Sequence, residues 1–208
     1  MEHDRRGDWF VTYTGKQFWP LDPRPGDIDI EDIAHALALQ ARWNGHTTEF
    51  YSVASHSVAC AEIGLTEYDV GVARWALMHD AAEAYLSDVI RPLKRYLYFV
   101  DERENDIPGN PSLMEPFKVI ENHLLQLIAR YFALPWPIPT EVSIIDNRML
   151  TTEGLALTRY HSDPHWTKTK DWAKLEPYDM PVKGVSPGMA EIQFRQCFNQ
   201  LFPEFASI

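Results

Sequence analysis

The sequence predicts a nearly all-α protein. Three observations support this class: apolar residues recur at helical spacing along most of the chain, Gly and Pro mark the ends of these segments, and strand-like patterns are confined to a stretch near the N-terminus. The chain has 208 residues, with no internal repeat and no low-complexity tract. This length predicts one domain with a sizeable core and additions at its ends.

An N-terminal arm is predicted over residues 1–28, which are rich in aromatic side chains, Pro and Gly. The density of Pro excludes a helix in this segment. A short strand or hairpin is expected over residues 10–18, with its turn at Gly15 and Lys16, followed by an ordered loop. We expect the aromatic side chains to pack the arm onto a helical core.

The core is predicted over residues 29–160, and a C-terminal loop and helix over residues 161–208 are expected to pack on it. Apolar periodicity, polar N-terminal caps and Gly or Pro at the ends define the helices. The predicted helices span residues 30–43, 52–63, 69–85, 92–100, 117–132, 140–160 and 189–201. Gly64 is interpreted as the end of the second helix, and residues 101–116, which carry charges, Pro and Gly, as an exposed loop.

Charge and composition exclude several classes of protein. The formal net charge is −11, from 19 basic and 30 acidic residues, which argues against a broad basic surface for polymeric nucleic acid. No window approaches the ~20 apolar residues of a membrane span, and the polar N-terminus leads into no apolar signal segment. Cys60 and Cys197 form no Cys-x-x-Cys pattern, so we expect reduced thiols and a cytoplasmic location.

Two histidines and two aspartates point to chemistry: His56, the adjacent pair His79 and Asp80, and Asp146. Each lies among apolar neighbours at a position expected to face the core. Burying such groups is costly unless they are paired, so we expect a divalent cation between them. The nitrogen and oxygen set suits Co²⁺, Mn²⁺, Ni²⁺, Fe²⁺, Zn²⁺ or Mg²⁺, one or two per chain. Taken alone, His56 would be interpreted as a core histidine, and His79 with Asp80 as a hydrogen-bonded pair.

Glu83 follows His79 by four residues, so on the predicted helix over residues 69–85 their side chains share a face. Asp80 lies about 100° round the helix from His79, close enough for both side chains to reach one point. A cation held there would make bound water a nucleophile near neutral pH. The sequence therefore predicts a hydrolytic site on one face of this helix.

The order His, His-Asp, Asp on a helical chain resembles the HD-domain phosphohydrolases. The segments that carry the resemblance read YSVASHSV at 51–58, HDAAEAY at 79–85 and DVIRPLK at 88–94. They are similar to the branch that contains bacterial 5′-deoxynucleotidases and phage deoxyadenosine-triphosphate triphosphohydrolases. The resemblance covers about residues 8–158 and implies an HD-type helical fold that forms at least a dimer. One departure is the family's arginine-rich loop, which reads NGHTTE at 44–49 and carries few cations.

The resemblance implies roles for residues at matching positions. His56, His79, Asp80 and Asp146 would ligate the metal. Glu83 would orient or deprotonate the attacking water, and Asp88 would support the nucleophile or the proton of the leaving group. Arg42 would hold phosphate, Trp43 would lie near the nucleoside, and Lys94 is a second candidate for phosphate.

Each of the last five residues also has a purely structural interpretation. Glu83 could have no catalytic role and serve solely to orient a ligand imidazole. Asp88 could cap the following helix. Arg42 could complement a helix dipole, Trp43 could belong to the core, and Lys94 could be an exposed cation. Other polar residues are interpreted as non-functional: His46, His123, His161 and His165 as surface residues, and Glu153 as a solvated or core-edge carboxylate.

Taken together, these features predict a metal-dependent phosphohydrolase of small nucleotides, most simply deoxynucleotides. The sequence leans slightly to triphosphate substrates such as dATP, with Arg91, Lys94 and Arg95 as a wider cation shell, and keeps a 5′-deoxynucleotidase of monophosphates as a close second. Hydrolysis of guanosine tetraphosphate or of a cyclic nucleotide is a third alternative. The non-enzymatic alternative is a helical binding module that retains the metal for structure or sensing.

Overall fold

Helices dominate the computed structural model, which describes residues 5–100, 114–159 and 174–205. In chain order the α-helices are α1 (Ile30–Leu39), α2 (Val53–Glu67), α3 (Val70–Met78), α4 (Glu83–Leu86), α5 (Arg91–Lys94), α6 (Phe117–Tyr131), α7 (Thr140–Leu157) and α8 (Pro187–Leu201). Short strands form two antiparallel pairs, β1 (Phe10–Val11) with β2 (Gln17–Phe18) and β3 (Tyr98–Val100) with β4 (Met114–Pro116). The predicted helical class is confirmed.

Helix α2 lies at the centre of the fold, in contact with α1, α3, α7 and α8. Ser52 caps its N-terminus by accepting a hydrogen bond from the amide of Ser55. The prediction that Gly64 ends this helix is wrong, since α2 continues to Glu67. A Cβ atom at Gly64 would lie 2.9 Å from the Cα atom of Ala73, so the glycine allows α2 and α3 to approach closely.

The predicted N-terminal hairpin is present as β1 and β2, with Phe10 opposite Phe18. Gly15 takes the left-handed conformation that its turn requires, with φ at 84°. The ring of Phe18 is fully buried and stacks on Tyr85 at 4.2 Å between centroids. The arm is thus anchored to the helical core by an aromatic side chain, as its composition predicts.

Helix α1 ends at Leu39, although its predicted range extends to residue 43. Gln40 is already extended, and Ala41 forms a β-bridge with Ser52. Trp43 then lies in a distorted 3₁₀ turn with φ at 57°. The helix therefore stops where the backbone turns to pair with the segment that enters α2, a tertiary contact without a local sequence signal.

The predicted continuous helix over residues 69–85 is broken into two. Helix α3 ends at Met78 with His79 as its C-cap, and α4 begins at Glu83. Residues 79–82 form tight turns in which amides donate to carbonyls three residues earlier, as in the pairs Ala81 to Met78 and Glu83 to Asp80. The predicted i, i+4 relation between His79 and Glu83 on one continuous helix is therefore wrong.

The predicted helix over residues 92–100 is also wrong beyond its first turn. Helix α5 ends at Lys94, and Tyr98–Val100 forms strand β3. Aromatic and β-branched residues in this segment favour extended structure once a pairing partner is available. That partner, β4, lies in the segment predicted as an exposed loop; residues 101–113 of this predicted loop lie outside the described residues.

The remaining helices lie within three residues of their predicted bounds. In α6, Ile120, Leu124 and Ile128 are buried, whereas the apolar side chain of Val119 is 38% exposed. Helix α8 packs on α1, α2 and α3. The predicted surface residues His161 and His165 lie outside the described residues. Across the described ranges, no helix is long and apolar enough to cross a membrane.

Candidate metal centre and catalytic residues

The four predicted metal ligands meet at one point between α2, the turn over residues 79–82 and α7. Nε2 of His56 lies 3.3 Å from Nε2 of His79, 3.4 Å from Oδ1 of Asp146 and 3.8 Å from Oδ2 of Asp80. Nε2 of His79 lies 3.3 Å from Oδ2 of Asp80. Atoms bound at about 2.1 Å to one ion are roughly 3.0–3.4 Å apart at octahedral and tetrahedral angles. Three of the four distances, at 3.3, 3.4 and 3.3 Å, are close to that range. The distance from His56 to Asp80, at 3.8 Å, is longer.

Both histidines are oriented with Nε2 toward this centre. Nδ1 of His79 donates to the carbonyl oxygen of Ala76 at 2.7 Å, and Nδ1 of His56 donates to Oε1 of Glu153 at 2.6 Å. A carbonyl or an ionised carboxylate can only accept, so the Nδ1 proton is fixed in both rings. Both rings therefore turn Nε2 to the centre, as metal-ligating histidines do. Burial and the charge of Arg42 lower the pKa of His56, but Cys60, Glu153 and the hydrogen bond with Asp146 outweigh them and raise it, so a bound cation would have to displace the Nε2 proton.

The two aspartates are held in the ionised form. Burial raises the pKa of Asp80, but the charges of His79, His56 and Arg42 outweigh it and hold that pKa well below its usual range. The pKa of Asp146 is likewise low, because its hydrogen bond with His56 and the charge of His79 outweigh burial. Ionised carboxylates beside imidazole nitrogens are the kind of donor set that binds a divalent cation once the imidazoles lose their Nε2 protons.

The thiol of Cys60 lies beside the same centre and was not among the predicted ligands. Ligand atoms of His56, Cys60 and His79 lie within 4.8 Å of one another, so these residues could hold a metal ion. The sulfur is 3.5 Å from Nε2 and 3.8 Å from Nδ1 of His56, and thus sits beside the ring rather than along the Nε2 lone pair. Burial raises the pKa of this thiol, which makes it a weaker ligand than Asp80 or Asp146.

The charge balance around the centre also fits a bound cation. Carboxylates outnumber cationic side chains there: the acids are Asp80, Glu83, Asp88, Glu121, Asp146 and Glu153, and the cations are Arg42, Arg91 and Lys94. Packing this many carboxylates together is unfavourable without further positive charge. A divalent ion would supply that charge, and the residues present therefore fit such an ion.

Glu153 is the residue that the sequence interpretation placed wrongly, since it is fully buried rather than solvated or at the edge of the core. Its Oε1 accepts from His56, and its Oε2 accepts from Nε of Arg42 at 3.0 Å and from Nε1 of Trp43 at 3.2 Å. Burial raises the pKa of Glu153, but the charges of Arg42 and His56 outweigh it and lower that pKa. The available signal was its spacing of two helical turns from Asp146 on α7.

Arg42 and Trp43, predicted to hold phosphate and nucleoside, both contact Glu153. Arg42 is buried and its Nη1 also lies 3.4 Å from Oδ2 of Asp80. Burial lowers the pKa of the guanidinium, but the surrounding carboxylates outweigh burial and raise it. Arg42 thus links a candidate ligand, Asp80, to the carboxylate that orients His56.

Glu83 is buried, with 4% of its surface exposed, at the start of α4. Its Oε1 accepts from Nζ of Lys94 at 2.7 Å, whereas its Oε2 is buried without a hydrogen-bond partner in the described part of the chain. Burial and the charge of Asp80 raise the pKa of Glu83, and Lys94 opposes this shift. When Glu83 is ionised, this oxygen is therefore a buried acceptor without a partner among the described residues.

Asp88 and Lys94 flank Glu83. Asp88 follows Ser87, whose φ is 73°, and burial raises the pKa of the Asp88 carboxyl. The alternative that Asp88 caps α5 is wrong, because the N-cap of α5 is Ile90. Lys94 is not a solvated cation, since its Nζ bridges Oε1 of Glu83 and Oε1 of Glu121, at 2.7 and 2.6 Å.

No family model matches the chain. Two relatives are similar to it. The uncharacterized protein RCAP_rcc00048 of Rhodobacter capsulatus is 48% identical over 92 residues, which are 41% of this chain and 46% of that protein. The uncharacterized protein YfdR of Escherichia coli is 33% identical over 190 residues, which are 91% of this chain and 93% of YfdR. Because this similarity spans nearly the whole of both proteins, the chain belongs to the same family as YfdR.

Proposed function

We propose that this protein is a metal-dependent phosphohydrolase of small nucleotides with an HD-type site, acting on deoxynucleotides. The observation that carries the proposal is the convergence of two oriented imidazoles and two ionised carboxylates next to a buried glutamate with an unpartnered oxygen. A purely structural metal site has no need of such an acceptor beside it. The deoxynucleotide substrate follows from the family resemblance and is a prediction.

His56, His79, Asp80 and Asp146 would hold the ion. A divalent cation bound there would supply the positive charge that polarises a phosphoryl oxygen and makes water a better nucleophile near neutral pH. The chain contributes the fixed orientation of these donors, through Glu153 for His56 and the carbonyl of Ala76 for His79. Fixed donors require little rearrangement when charge develops on the phosphoryl group.

Glu83 would act as the general base, accepting a proton from the attacking water at Oε2. Its raised pKa makes its carboxylate a stronger base than an ordinary glutamate. Lys94 holds the other oxygen and so fixes the side chain. Asp88, whose pKa is also raised, would donate a proton to the leaving-group oxygen. Between them these acids would move a proton on each side of the reacting phosphorus.

The cationic side chains near the candidate metal centre are already paired with carboxylates, which favours monophosphate over triphosphate substrates. A triphosphate carries more negative charge and needs a wider set of cationic partners. Arg91 already contacts Asp146 and Asn147, and Lys94 already bridges Glu83 and Glu121. The sequence-based lean to triphosphates stays a prediction, but we rank 5′-deoxynucleotidase activity first on this observation.

A substrate screen tests the proposal. Purified protein supplied with Co²⁺ or Mn²⁺ is incubated with deoxynucleoside mono-, di- and triphosphates, guanosine tetraphosphate and cyclic nucleotides. We expect inorganic phosphate to be released from deoxynucleoside monophosphates. Release of triphosphate from deoxynucleoside triphosphates would instead support the triphosphohydrolase predicted from the sequence. If the metal-loaded protein hydrolyses none of these compounds, the enzymatic proposal is refuted and the non-enzymatic alternative, a helical binding module, remains.

The variant Glu83→Gln separates catalysis from metal binding. Because the amide cannot act as a base, we expect a loss of about 10²–10⁴-fold in kcat. Elemental analysis should still find metal in the variant, because Glu83 is not among the candidate ligands. Unchanged turnover in this variant would exclude Glu83 as the base.

A further inference from the structure

Gln40 occupies an unusual position at the junction of three elements. It is the residue at which α1 stops, with extended backbone angles of −84° and 124°. Its backbone carbonyl accepts from the amide of Val53, the first residue of α2, at 3.0 Å. His56, a candidate metal ligand, lies one turn further along α2. The backbone of Gln40 is therefore attached to the helix that carries part of the metal centre.

The side chain of Gln40 reaches the segment that carries both candidate catalytic acids. Its Nε2 donates to the carbonyl oxygen of Glu83 at 2.9 Å, and its Oε1 accepts from the amide of Asp88 at 2.8 Å. The orientation of the amide group is fixed by chemistry, because a carbonyl can only accept and a backbone amide can only donate. One side chain thus joins the two ends of residues 83–88.

That segment has little structure of its own to fix its shape. Helix α4 has 4 residues, and Ser87 after it takes a positive φ that non-glycine residues adopt at a cost. Its closing hydrogen bond, from the amide of Ser87 to the carbonyl of Glu83, shares its acceptor with Gln40. The relative position of Glu83 and Asp88 therefore depends on contacts from outside the segment.

We propose that Gln40 is a positioning residue that sets the relative placement of Glu83 and Asp88 against the metal centre. The catalytic part of this inference rests on the proposed function, whereas the clamp on residues 83–88 can be measured without any substrate. Gln40 does not touch the reacting atoms; it acts through the backbones of both acids. Small displacements of catalytic groups reduce the rate strongly.

Three variants test this role. Gln40→Met keeps the side-chain length and removes both hydrogen bonds. Gln40→Glu keeps an acceptor for the amide of Asp88 but, when ionised, has no donor for the carbonyl of Glu83. Gln196→Met, at an exposed position on α8, makes the same chemical change away from the site. All three are compared with the wild type in metal content, kcat, KM and hydrogen–deuterium exchange.

For Gln40→Met we expect kcat to fall about 10–100-fold, with full metal content and little change in KM. The kcat of Gln40→Glu, taken relative to that of the wild type, should recover as the pH falls. The reason is that a protonated carboxyl can again donate to the carbonyl of Glu83. Gln40→Met should show no such recovery, and Gln196→Met should match the wild type. A purely structural role for Gln40 predicts no selective recovery at low pH.

Hydrogen exchange distinguishes failure of this inference from failure of the proposed function. In Gln40→Met, exchange should accelerate in peptides covering residues 83–88 and stay unchanged in α2 and α7. If the wild type hydrolyses no nucleotide, the proposed function fails, and this exchange pattern alone decides whether the clamp exists. Unchanged exchange, unchanged kcat in an active enzyme, or loss of metal or of the fold in Gln40→Met would overturn the positioning role.

Discussion

Glu153 determines how His56 faces the candidate metal centre. It accepts the Nδ1 proton of that imidazole while binding Arg42 and Trp43 through its second oxygen. Carboxylates in this position fix the orientation of a ligand imidazole and increase its basicity. The same carboxylate also neutralises the buried guanidinium of Arg42, so one residue links the orientation of His56 to core electrostatics.

Replacing Glu153 with Gln should weaken metal binding about 10–100-fold. The neutral amide can still accept from His56, but it no longer stabilises the charge that a ligand imidazole shares with the ion. Titration with Co²⁺ against a competing chelator measures the change in Kd. The control is Glu141→Gln at the first turn of the same helix, where the carboxylate contacts Thr140. Equal Kd values for wild type and Glu153→Gln would refute this role.

The convergence of the four candidate ligands could be predicted from sequence, whereas the residues that support them could not. His56, His79, Asp80 and Asp146 stand out because charged or polar groups interrupt apolar helical faces. The partners of those groups depend on which helices meet, which local pattern does not specify. Glu153 was therefore interpreted from residue type alone, and that interpretation was wrong. The alternative that Lys94 is an exposed cation was wrong for the same reason, while its role toward phosphate stays a prediction.

At the scale of elements, the close approach of α2 and α3 depends on Gly64. Both helices carry parts of the metal centre, His56 on α2 and His79 at the end of α3. A Cβ atom at position 64 would be 2.9 Å from backbone atoms of Ala73, which have no flexible end that could move aside. Separating the helices would therefore also displace the two imidazoles.

Gly64→Ala should destabilise the protein by about 1–3 kcal/mol, because the added methyl group overpacks a helix contact. Urea unfolding followed by Trp fluorescence measures the loss. Gly188→Ala is the matched control, since a Cβ atom there meets nothing within 4 Å. A Gly64→Ala variant as stable as the control would show that the helices can separate without cost.

The helix breaks show where local sequence signals stop being informative. Ala81 and Ala82 are strong helix formers, yet they lie in the turn between α3 and α4. The turn places Asp80 against His56 and His79, a long-range requirement that overrides propensity. Strand β3 likewise depends on pairing with β4, a partner distant in sequence. In contrast, the start of α2 depends on local signals: it was predicted at residue 52, and the helix begins at Val53 after its Ser52 cap.

At the scale of the whole molecule, a bound ion would join α2, the turn over residues 79–82 and α7. These segments are far apart in sequence, so only folding brings their donor atoms together. Because the complete set of donors exists only in the folded state, metal binding should stabilise the fold. The predicted homo-oligomer and cytoplasmic location stay predictions.

Saturating metal-free protein with Co²⁺ should therefore raise its Tm. At about a hundred times Kd the gain is about 2.7 kcal/mol, which corresponds to roughly 5–10 °C for a domain of this size. Asp146→Ala should abolish most of this shift and, in elemental analysis, lose its metal. Differential scanning calorimetry measures both proteins, and a similar shift in the variant would exclude Asp146 as a ligand.

The stacking of Phe18 on Tyr85 has a practical consequence for handling the protein. Tyr85 lies two residues after Glu83, and its hydroxyl accepts a hydrogen bond from the amide of Asp29 at 3.1 Å. Deleting residues 1–28 would remove the ring that covers Tyr85, close to Glu83 in sequence, and expose Tyr85 to water. We expect such a shortened protein to lose turnover before it loses its helices. An affinity tag should therefore be added in front of the complete arm and should not replace it.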